Sequence, residues 1–295
     1  MSGVVSSIIT NSAAMVGVET LNSINTSLNS VQNQISTGYS VSSAVDNGAA
    51  FAVAQSVRTN MAGLTAANQQ LGDTQGLLAT TNTALTNISN LMQSMDATLV
   101  NLSSSTISTS QKSQYAAQFS SQLQNLQYYI KGANYNGKAL IGGGLGTTLH
   151  TSASSFTSTA LTVSSDASGG QIKIASQSMT TVYLALSSIG TALGTASAGS
   201  TTITGFMTAG GSFSSAVSSV GSYLNTYGNL TNQVDAQITY NQNKMDALSN
   251  GLGALVDANM AAESAKLQSL QIQQQLATSA LSIANQQPSI LTKLI

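Results

Sequence analysis

Cysteine is absent from the 295 residues, which excludes disulfides and thiolate metal sites. Tryptophan is absent too, and histidine occurs once, at His150. The one proline, Pro288, leaves the first 287 residues free of the residue that most strongly forbids helix. Charge is the next shortage: eight basic and nine acidic residues make up 6% of the chain, against roughly 25% in typical domains. A net charge of −1 gives no electrostatic case for binding nucleic acid, an anionic membrane or an acidic substrate. It also leaves little repulsion between copies, which suits self-association. No uncharged apolar run reaches the roughly 20 residues that span a bilayer. The opening stretch, MSGVVSSIITNSAAMVG, has neither a basic n-region nor a compact apolar h-region, so it does not read as a Sec signal peptide.

What the chain does have is helical periodicity. Leu21, Ile24, Leu28, Val31 and Ile35 follow a 3-4 spacing that ends at Ser36-Thr37-Gly38, where glycine can terminate a helix. Residues 38–48 read as a loop, with turn chemistry at Asp46-Asn47-Gly48. A longer stripe then holds register through Leu64, Ala67, Leu71, Thr74, Leu78, Thr81, Leu85, Ile88, Met92, Met95, Leu99 and Leu102, predicting a rod helix. The polar run SSSTISTS at 103–110 breaks it. Ala116, Phe119, Leu123, Leu126 and Ile130 mark an antiparallel neighbour. A third long stripe is read from Val217 through Val220, Leu224, Tyr227, Thr231, Val234, Ile238, Asn241, Met245, Leu248 and Leu252 to Leu255. Asn241 is a polar interruption of the kind that fixes alignment.

Residues 257–295 combine apolar positions on more than one helical face with seven glutamines between Lys266 and Lys293, and no charge between those lysines. A helix apolar on several faces must be surrounded. The glutamine amides argue against lipid, so the surroundings are protein, and further copies of the chain would supply them. Residues 1–10 carry only apolar pairs and read as ordering when packed. The middle differs. From 132 to about 211 it is rich in Gly, Ser and Thr, with a hairpin expected where Ala160-Leu161-Thr162-Val163 and Gln171-Ile172-Lys173-Ile174 flank a turn at 166–170, and a short helix from Val182 to Leu193. The fold class expected is mainly α: a helical rod and a terminal coiled coil built from both chain ends, with a small β-hairpin-containing middle.

Chemistry-bearing clusters are scarce. His150 has no HExxH context and no nucleophile elbow near it, so it reads as a loop histidine. The glycine run at 142–146 lacks the Gly-Lys-Ser/Thr of a phosphate loop and reads as a linker. Arg58 is read either as an ion-pair partner across subunits or as a solvated residue. Glu263 and Lys266, three apart, support each other on one face. The glutamines at 273–275 read as an amide network between helices. No catalytic, cofactor or metal site is expected.

Two motifs then carry a resemblance. Residues 31–52, VQNQISTGYSVSSAVDNGAAFA, and residues 257–264, an Asp-Ala-x-Met-x-x-Glu-Ser box followed by LQSLQIQQQL, ALSIANQ and ILTKLI, resemble bacterial flagellin, most of all its alphaproteobacterial members. Asn134-Tyr135-Asn136-Gly137 is similar to the family's Asn-Gly signature. The resemblance implies an inner coiled coil from 1–42 and 256–295, a rod from 43–139 and 206–255, and an outward-facing variable region at 140–205. It implies a helical homopolymer of this chain as the extracellular flagellar filament. Export would pass through the flagellar type III apparatus with an export chaperone, and the filament would meet cap and hook-junction proteins. The assembly interface expected from these stripes is Leu21, Ile24, Leu28, Val31, Ile35, Asp46, Leu267, Leu270, Leu276, Leu281 and Ile283.

Departures from the pattern matter. Ser40 and Val45 stand where the family has basic residues, and Asn47 replaces its second aspartate. The family's Leu-Gln-Arg-x-Arg-Glu-Leu stretch, the recognition site of the vertebrate innate receptor for flagellin, reads Met92-Gln93-Ser94-Met95-Asp96-Ala97-Thr98 here, with both arginines gone. Alternative readings are a hook–filament junction protein of the same superfamily, or a surface adhesin or host ligand.

Overall fold

Fifty-six residues without a proline, with an apolar or small residue every three or four positions, give the longest helix of the chain. The computed structural model describes residues 11–142, 159–194 and 199–292. His150, residues 1–10 and most of the 142–146 glycine run lie outside the described residues. The elements in order are α1 (Ser12–Thr37), α2 (Gly48–Ser103), α3 (Thr109–Gly132), β1 (Ile141–Gly142), β2 (Leu161–Ser164), β3 (Gln171–Ile174), β4 (Gln177–Ser178), α4 (Thr180–Gly194), α5 (Ser200–Met207), α6 (Ser212–Val256) and α7 (Met260–Thr292). The chain groups into two units: Met1–Asn60 with Asp246–Ile295, and Met61–Met245.

The first unit pairs α1 with α7. Ile24, Val31 and Leu270 are buried on the seam, flanked by Leu28, Ile35, Leu267 and Ala277. The helices run antiparallel, because Gly38 meets Ala258, Asn25 meets Gln274, and Gly17 meets Leu281. Gly38 ends α1 in the left-handed region at φ 75°, and its amide bonds the Gln34 carbonyl. A single antiparallel bridge, Tyr39 to Asp257, follows. The amide of Ser40 donates to the Val256 carbonyl at 2.7 Å. Beyond it Val41, Ala54 and Val256 form a small second core with Ala50, Phe51 and Leu252.

The second unit is built on the α2 stripe. All twelve positions read from the sequence, Leu64 to Leu102, are buried, including the two threonines. Thr74 and Thr81 are tolerated there because their hydroxyls donate to the carbonyls four residues back. The break at 103–110 is where α2 ends, and Ser108 opens α3 with a capping box closed by Gln111. Phe119, Leu126 and Ile130 of α3 join the same core.

The α6 stripe needs correction at both ends. Val217 is 43% exposed and Leu255 is 42% exposed, whereas Phe213, Ala216 and Val256 are buried. The seam runs 213, 216, 220, 227, 234, 241, so the reading from Val217 entered one residue out of phase. The middle also holds more helix than its composition suggests. The hairpin forms as expected, Leu161 pairing Ile174 and Ser164 pairing Gln171. The expected short helix is α4, but α5 and a parallel two-residue pairing of β1 with β4 were not anticipated.

Candidate assembly surfaces

On α1 the candidate residues point at α7 of the same chain. Ile24 and Val31 are buried, and Leu21, Leu28 and Ile35 are half-buried. The C-terminal candidates divide between two faces of α7. Leu267, Leu270 and Leu281 face α1, with Leu281 lying 3.1 Å from where a Cβ on Gly17 would stand. Glycine at 17 therefore lets the two helices close around a leucine. Leu276 and Ile283 face away and are 64% and 65% exposed. Ile272, at 58%, extends them into one stripe, since spacings of four and seven return to the same side of a helix. The sequence reading placed Leu276 and Ile283 among the candidates but left out Ile272; the 4-plus-7 spacing was the signal available.

Beside this seam, α1 exposes Met15, Val16 and Val18. They line an open groove of about 700 Å3 with Ala14, Leu281 and Asn285. Most of the polar residues of the pair are amides and hydroxyls. Gln274 donates to Asn25 Oδ1 at 2.7 Å across the two helices, and Gln273 reaches only Ser269 of its own helix, at 3.4 Å. Glu263 and Lys266 form the expected pair, with Nζ to Oε2 at 3.9 Å. That is an ion-pair distance rather than a hydrogen bond, and Oε2 is buried without a hydrogen-bond partner.

Asp46, the remaining candidate, holds a turn. One carboxylate oxygen accepts from the amides and the hydroxyls of both Ser42 and Ser43, at 2.9 to 3.1 Å. These bonds, the Ser43 amide first, hold its pKa below the ordinary aspartate value. Asn47 then opens α2, its Oδ1 accepting from the Ala50 amide. Within the chain, the guanidinium of Arg58 lies over the Tyr39 ring, 5.9 Å from the centroid.

In the second unit, the stretch aligned with the family's receptor site is helical. Met92 and Met95 are core residues, Gln93 and Ser94 are exposed, and Asp96 is half-buried. The seam polar residue Asn241 is wholly buried and does more than interrupt a stripe. Its Nδ2 donates to Asn68 Oδ1 at 2.9 Å and to the Ser165 carbonyl at 2.8 Å, while its Oδ1 accepts from Gln237. Asn241 therefore fastens the β2–β3 turn onto α2 and α6. Gly63 gives that turn room, because a Cβ there would stand 2.8 Å from the Ala167 Cβ. Asp166 shapes the turn itself, accepting from the Ser168 and Gly170 amides at 2.8 Å. Tyr227 plays a similar tethering part, its buried hydroxyl lying 2.9 Å from the Leu140 carbonyl and 3.1 Å from that of Ala175. Burial pushes this phenol well above its usual pKa.

Among the described residues, no three His, Asp or Glu side chains group as a metal site, and no helix is long and apolar enough to cross a membrane. Comparison with known proteins agrees with the architecture. The profile for the bacterial flagellin N-terminal helical region matches residues 8–145, and that for the C-terminal helical region matches 211–295. Flagellin FljK of Caulobacter vibrioides is 31% identical over 288 residues, covering 98% of each chain. A flagellin of Brucella melitensis is 32% identical over 288 residues, covering 95% of each. A crystal structure of Bacillus cereus flagellin superposes with a TM-score of 0.47 at 16% identity, covering 59% of this chain and 88% of that one.

Proposed function

The chain belongs to the bacterial flagellin family, the structural subunits of the flagellar filament, and on that premise we propose how this member assembles. The α1–α7 pair acts as one two-helix body. Its inner seam is satisfied within the chain, and its outer stripe of Ile272, Leu276 and Ile283 meets neighbouring copies. That stripe carries the reading, because three large aliphatic side chains more than half exposed on one helix face are out of place on an isolated subunit. Completing their burial contributes about 1–2 kcal/mol each, once per neighbour contact. The contacts are heterologous and do not close into a ring, so they propagate as an open helix.

The same premise supports the finer reading that the filament is extracellular and built by type III export, with an export chaperone, cap and hook-junction proteins as partners. It also supports a structural role without catalysis. With Ser94 and Asp96 in place of the family's arginines, the chain is expected to be a poor agonist of the vertebrate flagellin receptor. A reporter-cell response equal to that of arginine-bearing flagellins would contradict this.

Negative-stain microscopy of the purified protein, seeded with sheared filaments, tests the assembly reading. Long uniform tubes are expected from the full chain and none from a chain lacking residues 256–295. Tubes from the truncated chain would overturn the role given to α7. Short caps from the full chain would favour a hook–filament junction protein.

A further inference from the structure

Helix α7 continues as far as Thr292, through Pro288. Proline has no amide hydrogen, so the carbonyl four residues earlier, that of Ala284, lacks the donor that every other interior turn of the helix provides. The structure supplies a donor from outside the helix. Asn11, the residue that caps α1, places Nδ2 at 2.9 Å from the Ala284 carbonyl. Its other side-chain atom is engaged locally, since Oδ1 accepts from the Ala14 amide at 3.2 Å. A single asparagine therefore satisfies one orphan group on each helix: a free N–H at the start of α1 and an open C=O near the end of α7.

We propose that Asn11 and Pro288 form a latch that closes the far end of the α1–α7 pair and fixes its register. The register follows from which carbonyls are open. Short of the last turn of α7, each interior carbonyl already accepts from its own helix, and only the one opposite the proline does not. If α7 slipped by one turn, Asn11 would face the carbonyl of residue 280 or 288. Residue 280 is met by the amide of Ala284, so a slip toward it exchanges a vacant acceptor for an occupied one. A slip toward 288 would leave Ala284 orphaned in the pair. Register here also decides whether Gly17 receives Leu281 and whether Gln274 meets Asn25. The latch thus adds a third, independent match at the end of the pair farthest from the Gly38–Ala258 connection.

Hydrogen exchange of the backbone, followed by mass spectrometry on free and sedimented protein, tests the latch. Asn11→Asp separates its two halves: aspartate caps a helix as well as asparagine does, but cannot donate to a carbonyl. In the chain with Pro288, Asn11→Asp is expected to speed exchange in residues 12–20 and 280–287 by about threefold to tenfold, the worth of one hydrogen bond. In a Pro288→Ala background, alanine's own amide closes the Ala284 carbonyl. The same Asn11→Asp change is then expected to alter exchange by less than about twofold. An unchanged rate in the Pro288 chain, or an equal change in both backgrounds, would overturn the latch. So would unprotected amides in 12–20 and 280–287 of the wild-type chain in both states. The inference uses the α1–α7 pair but not polymerisation, so a chain that shows this coupling without forming filaments would uphold the latch and remove the filament reading.

Discussion

The carboxylate of Asp46 gathers two serine amides and two serine hydroxyls on one oxygen, and the sign of its pH dependence follows. Its folded pKa lies below the ordinary 3.8, so what it contributes is complete above that value and is lost as pH falls through the folded value. Asp166 behaves likewise, with the Gly170 amide as the largest cause. Asp46→Asn should therefore be less thermally stable than wild type at pH 7, with the gap closing toward pH 2. A gap that persists at pH 2 would mean that the turn does not depend on the charge. Asn241 is a different case, because its side chain is wholly buried. Asn241→Ala leaves Asn68 without that partner and loosens Ser165 from α6, which should cost about 1–3 kcal/mol in urea unfolding. A variant within a few tenths of a kcal/mol of wild type would show that the β2–β3 turn is held by other contacts.

At the scale of elements, the two faces of α7 can be separated experimentally. Leu276→Gln with Ile283→Gln changes only the exposed face, so exchange protection of the α1–α7 pair should be kept while the critical concentration for polymerisation rises about tenfold or more. Leu270→Gln, on the buried face, should weaken both. If the double variant assembles like wild type, the stripe is not the contact. The elements also show what could be read in advance. The α2 stripe was legible to the last position because twelve successive positions share one phase, and the leucines off it, Leu77 and Leu91, do not form a 3-4 stripe of their own. The ends of α6 were not, because Val217 is as apolar as the residues that are buried, while Phe213 sits among glycine and serine. Helix α5 has eight residues, four of them Thr or Ser, and no stripe to detect. The parallel β1–β4 contact joins two residues to two others about 36 positions away, a pairing decided by packing. Of the candidate residues, periodicity identified which positions are apolar along α7. It could not say which of its two faces a partner within the chain would take.

For the whole molecule, the shortage of charge becomes a prediction. Among the described residues one ion pair is formed, and it lies between neighbours on one helix. Most polar side-chain contacts between helices run through amides and hydroxyls, as from Asn82 to Thr231 and from Gln274 to Asn25, with the Gln75 amide donating to the Asp235 carboxylate. Electrostatic screening by salt has little to act on in such a structure. The critical concentration should change less than about threefold between 0.05 and 0.5 M sodium chloride, measured by sedimentation. A steep dependence would show that the few exposed charges sit at subunit contacts.

The pairing of α1 with α7 also sets an order of events. Asn25 and Gln274 are 249 positions apart, so α1 has no partner until nearly all of the chain is present. Closing a loop of that length costs roughly 5 kcal/mol of chain entropy before any contact repays it. The core of the second unit, by contrast, can begin with α2 and α3, which are joined by five residues. Folding is therefore expected to start within Met61–Met245, and the outermost helices close last. If the subunit is delivered end first, as the proposed export route requires, its leading helix stays unpaired until the trailing one arrives, which would keep the α1–α7 surface from maturing in transit.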